Sequence, residues 1–169
     1  LLKKAIQAGA RRIELCDNLA VGGTTPSYGV TKAAVELAAD YDTTIMTMIR
    51  PRGGDFVYND LEVAIMREDI ALTAQAGSQG VVFGALTADK KLDKANLEKL
   101  VAASKGMEIV FHMAFDELSE QEQLEAIDWL SQAGVTRILT RAGVSGDSLE
   151  KRFSHYHRIL EHAAGKIEI

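Results

Sequence analysis

The chain carries one cysteine, Cys16, in 169 residues. A lone thiol excludes an intrachain disulfide and any metal cage built from several cysteines. With only two prolines, no proline-rich linker or low-complexity segment divides the chain. There is no apolar run of the roughly 18 residues that a membrane helix needs and no signal-peptide pattern, so a membrane span and secretion are not expected and a cytoplasmic address is the default. A net charge of −5 gives no basic excess, so nucleic acid is not an expected partner. What is present, 47% hydrophobic and 25% charged residues, fits one domain over residues 1–169 with ample core.

Within that domain an Ala-Gly or Lys-Gly pair repeatedly leads into a short apolar, β-branched run. The runs after Gly9, Gly77, Gly106, Gly134 and Gly165 cover residues 12–16, 81–86, 109–111, 138–140 and 167–169. A sixth, 43–50, lies between the first two. The last four glycines are 29, 28 and 31 residues apart, the length of one βα unit. Glycine enters the left-handed conformation that commonly ends a helix, so each pair reads as a cap and a turn into a strand. Helices alternating with strands predict a parallel α/β sheet with right-handed crossovers.

Capping-box spacing at Asn59 with Glu62 and at Ser119 with Glu122 marks two helix starts. Apolar stripes follow at Val63, Met66, Ile70, Ala74 and at Leu124, Ile127, Leu130, with a third at Phe153, Tyr156, Leu160, Ala163. These read as core faces packed on the sheet. The sequence opens inside an apparent helix and stops inside an apparent strand. Six strands are too few for a closed (β/α)8 barrel of about 250 residues. The pattern therefore allows an open doubly wound sheet or a barrel lacking its first and last strands, and two unpaired strand edges would favour a homo-oligomer such as a dimer.

In either fold the carboxyl ends of the strands share one face, where remote residues meet. The densest chemistry is MTMIRPRGGDFVY, residues 46–58. Alternation puts Met46, Met48 and Arg50 on one face and Thr47 and Ile49 on the other. Arg50, Arg52 and Asp55 around Gly53 and Gly54 read as an anion clamp for a carboxylate or phosphate, or as arginines paired with Glu14, Asp55 or Asp116. In the first strand Glu14 and Cys16 share a face. Glu14 is a candidate base, acid or metal ligand, and Cys16 a candidate nucleophile, soft metal ligand or small buried hydrophobe. His112, the only histidine at a strand end, is the acid/base candidate, with Asp116 or Glu14 to orient it. His155, His157 and His162 fall on the last helix and read as solvated. Loops 20–28 and 140–148 could lend backbone amides to an anion, but match neither the P-loop nor the dinucleotide fingerprint and read more readily as turns and caps.

IELCDNL, GGTTPS, IRPRGGDF, VVFG and FHMAFD, in that order and spacing, resemble the CutC family, historically called copper-homeostasis proteins. The resemblance covers essentially the whole chain. It implies a TIM-like (β/α)8 barrel, truncated here to about six units, with Glu14, Cys16, Arg50, Arg52, Asp55, His112 and Asp116 lining the site. Two departures stand out: Met113 follows the histidine where the family commonly has Arg, and Thr140, Arg141, Ala142 replace a Thr-Ser-Gly pattern. A positive charge has thereby moved to the next strand end.

Two functions of different class follow. One is copper handling, with Cu(I) at Cys16 and the thioethers of Met46 and Met48 as further soft donors. The other is an enzyme on a small phosphorylated or carboxylated metabolite, in which Arg50, Arg52 and Asp55 hold the substrate, Glu14, His112 and Asp116 act in catalysis, and copper is linked only indirectly. A divalent metal held by Glu14, His112 and Asp55 or Asp116 is a further option. No strand ends in lysine, which disfavours Schiff-base chemistry.

Overall fold

Successive strands of this chain pair with one another in sequence order. The computed structural model describes residues 1–143 and 146–169. Five parallel strands, β1 (Arg12–Leu15), β2 (Thr44–Met48), β3 (Gly80–Phe83), β4 (Glu108–Phe111) and β5 (Arg137–Ile138), lie in the order β1-β2-β3-β4-β5. Around them run α1 (Leu2–Gln7), α2 (Tyr28–Ala38), α3 (Asp60–Gln75), α4 (Lys94–Ala103), α5 (Glu120–Ala133) and α6 (Leu149–Ala163). A doubly wound sheet would reverse its strand order partway; this one does not, and it curls as part of a TIM-like barrel. The curl brings Arg12 at the start of β1 within 2.7 Å of Glu108 at the start of β4, although two strands separate them in the sheet.

The expected sixth strand at 167–169 is reduced to one parallel bridge between Arg137 and Glu168. The Ile138 amide donates to the Glu168 carbonyl at 2.8 Å, but β5 offers only two residues to pair with. Strand β2 also stops at Met48, before the expected Arg50, whose backbone amide and carbonyl bond to Thr25 of the preceding loop instead of to a neighbouring strand.

Side-chain alternation assigns the two sheet faces as expected. Ile49, Val81, Phe83, Ile109 and Phe111 join Val63, Met66, Ile70, Leu97, Leu100, Ile127 and Leu130 in the layer between sheet and helices. Leu15 and Ile45 pack with Ile6, Ala34 and Ala38 of α1 and α2. Met46, Met48, Val82 and Val110, with Cys16 against them, form the inner face.

The helix caps follow their local chemistry. Asn59 and Glu62 form the reciprocal capping box of α3, and Ser119 accepts from the Glu122 amide at the start of α5. The five cap glycines all have φ between 75° and 92°. Two stripes are phased differently from expectation. In α3 Thr73, not Ala74, is buried. In α6 the inward face is His155, Ile159 and Ala163, while Phe153 is 62% exposed. His155 is therefore not solvated: its Nε2 lies 2.6 Å from the Gln123 side-chain oxygen, and the Gln123 amide donates to the Phe115 carbonyl. A polar partner on α5 makes histidine acceptable at a position that apolar patterning assigns to the surface. No helix among the described residues is long and apolar enough to cross a membrane.

Candidate functional site

The carboxyl ends of β1, β2 and β4 converge on a cavity of about 180 Å³ lined by Glu14, Val21, Gly22, Met48, Arg50, Phe56, His112, Met113 and Leu139. Glu14, Arg50 and His112 thus meet, and Cys16 lies beside Glu14. Arg52, Asp55 and Asp116 do not line this cavity.

Arg50 is 4% exposed. Its Nη1 donates to the carbonyls of Val21 and Gly23 at 2.9 and 3.1 Å, and its Nη2 donates to Gly54 at 2.7 Å. The loop over residues 20–28 supplies two of these acceptors, Val21 and Gly23, and Thr25 locks it by exchanging backbone and hydroxyl hydrogen bonds with Arg50. Among the described residues no carboxylate pairs with this guanidinium, and its Nε has no acceptor. The Tyr58 hydroxyl lies near enough for the guanidinium to lower its pKa against the larger effect of burial, but does not meet hydrogen-bond geometry. A buried cation compensated only by carbonyl dipoles and an aromatic face is costly unless an anion joins it.

His112 follows β4 and caps a short 3-10 turn, Met113–Glu117. Its Nδ1 accepts from the Ala114 amide at 3.2 Å, so the ring proton sits on Nε2, which is buried without a partner. Neither Asp116 nor Glu14 orients the ring; a backbone amide does. Burial, reinforced by the charge of Arg50, pushes the imidazole pKa down to about 3. His112 is therefore a neutral hydrogen-bond donor and a poor proton acceptor near neutral pH. Phe56 holds the pair together, its ring 4.8 Å from the His112 ring and 4.8 Å from the Arg50 guanidinium carbon.

The place of His112 depends on Gly84, at the end of the VVFG run. A Cβ there would stand 2.6 and 2.7 Å from two atoms of the imidazole. Gly80, at the start of the same strand, similarly leaves room for Met46, whose Cε would be 2.1 Å from such a Cβ.

The Cys16 thiol donates to Glu14 Oε1 at 3.5 Å. Burial raises the Glu14 pKa against the lowering effect of that bond, although the side chain still reaches solvent. Burial and then the Glu14 charge push the Cys16 thiol up to about 12. Cys16 is consequently a protonated thiol at neutral pH, not an activated nucleophile.

The remaining sequence candidates build the rim. Arg52 donates to Glu62 at 2.5 Å and to the carbonyls of Gly53, Asp55 and Val57, and it pairs with the Asp55 carboxylate at 3.1 Å. Asp116 accepts from the Thr140 hydroxyl at 2.5 Å and from the Arg141 amide. Arg141, the relocated positive charge, stands 3.5 Å from Asp116. These groups tie one strand end to the next. The 140–148 loop shows turn chemistry as far as it is described, with the Ala142 amide donating to Thr140 at 2.8 Å; Val144 and Ser145 lie outside the described residues. Among the described residues no three His, Cys, Asp or Glu side chains gather into a metal-holding group. Sequence reasoning passed over Phe56 and Gly84. The signals were an aromatic directly after GGD and a glycine ending an otherwise apolar strand.

The CutC family model matches residues 1–169. A CutC family protein of Enterococcus faecalis is 49% identical over 168 residues, covering 99% of this chain and 80% of that protein. The copper homeostasis protein cutC homolog of Homo sapiens is 39% identical over 165 residues, 98% of this chain and 58% of the human protein. A crystal structure of the CutC protein from Streptococcus agalactiae superposes with a TM-score of 0.94 at 44% identity, over 99% of this chain and 80% of that one. With every residue matched by the family model and relatives close to half identical, this chain belongs to the CutC family.

Proposed function

We propose that this CutC-family chain binds a small anionic metabolite at the strand ends and acts on it as an enzyme, its connection to copper homeostasis being indirect. One observation carries the reading: among the described residues, Arg50 is buried at the cavity wall with no carboxylate partner, beside the unpartnered Nε2–H of a neutral His112. A ligand carboxylate or phosphate would supply the missing charge, and His112 would donate to a second oxygen. Arg52 and Asp55 support this by fixing the loop whose Gly54 carbonyl holds Arg50.

Thermal denaturation with inorganic phosphate, pyruvate and oxalate tests the proposal. A tenfold excess over Kd adds about 1.4 kcal/mol to stability, enough for a shift of a few degrees in a domain of this size. At least one anion should stabilise the protein. The shift should shrink in Arg50→Lys, which keeps the charge but loses the planar donor set, and in His112→Asn, whose Oδ1 can still cap the turn while the Nε2–H is gone. If no anion raises the midpoint, the reading fails.

A second reading is direct Cu(I) binding, favoured by three sulfur-bearing residues, Cys16, Met46 and Met48, in one cluster on the inner face. Soft sulfur suits Cu(I), but burial, and then the neighbouring Glu14 carboxylate, keep the thiol protonated. Cu(I) titration separates the readings. Submicromolar binding lost in Cys16→Ala would favour copper; weak binding indifferent to that change fits the anion site.

A further inference from the structure

The cavity brings together three groups with different tasks: a carboxylate, a neutral imidazole donor and a buried cation. We propose that the reaction at this site is removal of a proton from carbon next to a carbonyl, with Glu14 as the base and His112 and Arg50 holding the oxygen charge that develops, on a small 2-oxo acid. This rests on the anion-site reading above and adds the reaction and the substrate class.

The cavity opens to solvent and has room for a small ligand. About 180 Å³ slightly exceeds the roughly 150 Å³ that accommodates a benzene molecule, enough for the roughly six non-hydrogen atoms of a small 2-oxo acid. Its polar demands come from the wall. Arg50 asks for a full negative charge, and the His112 Nε2–H asks for an acceptor oxygen beside it. A 2-oxo acid offers a carboxylate and a carbonyl oxygen on adjacent carbons. The rest of the lining, Val21, Met48, Phe56, Met113 and Leu139, is apolar and suits a short alkyl group at C3. Among the described residues no lysine lines the cavity, so the lining offers no amine to form a Schiff base with the carbonyl.

The proton transfer balances without any further reactant. The Glu14 carboxylate takes a proton from C3, and the C3–H electron pair becomes the C2=C3 double bond. The carbonyl π pair moves onto oxygen, giving an enolate. His112 Nε2–H donates to that oxygen while Arg50 faces its charge and that of the carboxylate. Return of the proton to carbon completes an exchange, and its return to the opposite face or to another carbon would make the protein an epimerase or isomerase. A neutral imidazole suits this role better than an imidazolium because it donates without surrendering its proton to the enolate. Cys16, donating to one Glu14 oxygen, leaves the other free to take the proton.

Proton NMR of pyruvate and 2-oxobutyrate in D2O with the intact protein tests the step, read alongside thermal denaturation with the same acids. The expected result is loss of the C3 proton signals at least about tenfold faster than in buffer, inhibited by oxalate, which resembles the enolate. Glu14→Gln should lower the exchange by about a hundredfold or more, in the range that a general base contributes, while thermal stabilisation by pyruvate persists. Stabilisation by pyruvate or oxalate without exchange would overturn the proton-abstraction step and leave the anion site standing. Exchange that survives in Glu14→Gln would overturn the assignment of the base. Absence of both stabilisation and exchange would remove the anion site and this reaction with it.

Discussion

Burial keeps both His112 and Cys16 uncharged at neutral pH, the ring by refusing a second proton and the thiol by retaining the one it has. For His112, burial and Arg50 disfavour the charged ring and bring its pKa from 6.5 to about 3. The unfolded chain takes up a proton below pH 6.5 that the folded ring refuses until about pH 3. This contribution to stability is complete above 6.5 and is lost progressively as pH falls from there toward 3. Urea denaturation across that window should show one proton's worth of slope, about 1.4 kcal/mol per pH unit, that disappears in His112→Asn. For Cys16, burial and the Glu14 carboxylate disfavour the thiolate. Iodoacetamide at pH 8 should alkylate Cys16 at least about a hundredfold more slowly than an unhindered thiol, and Glu14→Gln should speed the reaction. The sequence placed Glu14 and Cys16 on one face correctly from alternation, but a protonation state depends on neighbours from other strands that no local pattern reveals.

At the scale of the element, the site depends on what strands leave out. Strand β3 is followed directly by Gly84, and the space a side chain would take there is filled by the imidazole that follows the next strand. Gly84→Ala should therefore cost about 1–3 kcal/mol through overpacking and, by displacing His112, should abolish any anion-induced thermal shift. Chemical denaturation and the thermal screen report the two effects separately. Strand faces and caps were legible because period-two alternation and Gly or Asn chemistry act within a few residues; the buried faces of β1 and β2 and the Asn59–Glu62 box follow directly. The phase of α6 was not legible, because His155 is made tolerable inside by Gln123, 32 residues away. The roles of the two arginines were only half legible. Both sit in one loop motif, yet Arg52 meets Glu62 on the following helix and Arg50 meets carbonyls of the preceding βα loop.

At the scale of the molecule, the glycine period and the strand count pointed to a parallel α/β fold, while the choice between an open sheet and a curled one rested on strand order, which spacing does not encode. The resemblance in IRPRGGDF and FHMAFD pointed to the barrel, and sequential strand pairing agrees with it. The apolar layer between sheet and helices, more than the ion pair across the curl, holds this arrangement. Phe83→Ala, at a fully buried position in that layer, should cost about 3–5 kcal/mol in urea denaturation. Arg12→Ala removes a pair whose side chains are 34% and 43% exposed and should cost no more than about 1 kcal/mol. With that frame fixed, three strand ends can present Glu14, Arg50 and His112 to one small cavity.

In the proposed site a neutral, Nε2-protonated His112 beside Arg50 receives a small anion. Long-range proton–nitrogen NMR of the 15N-histidine-labelled protein at pH 7, titrated with oxalate, addresses it most directly. His112 should show the Nε2–H tautomer before addition, and its Nε2 resonance should move saturably with oxalate in the wild-type protein and much less in Arg50→Lys. An Nδ1–H tautomer or a charged ring at that pH, or a resonance that ignores oxalate, would contradict it.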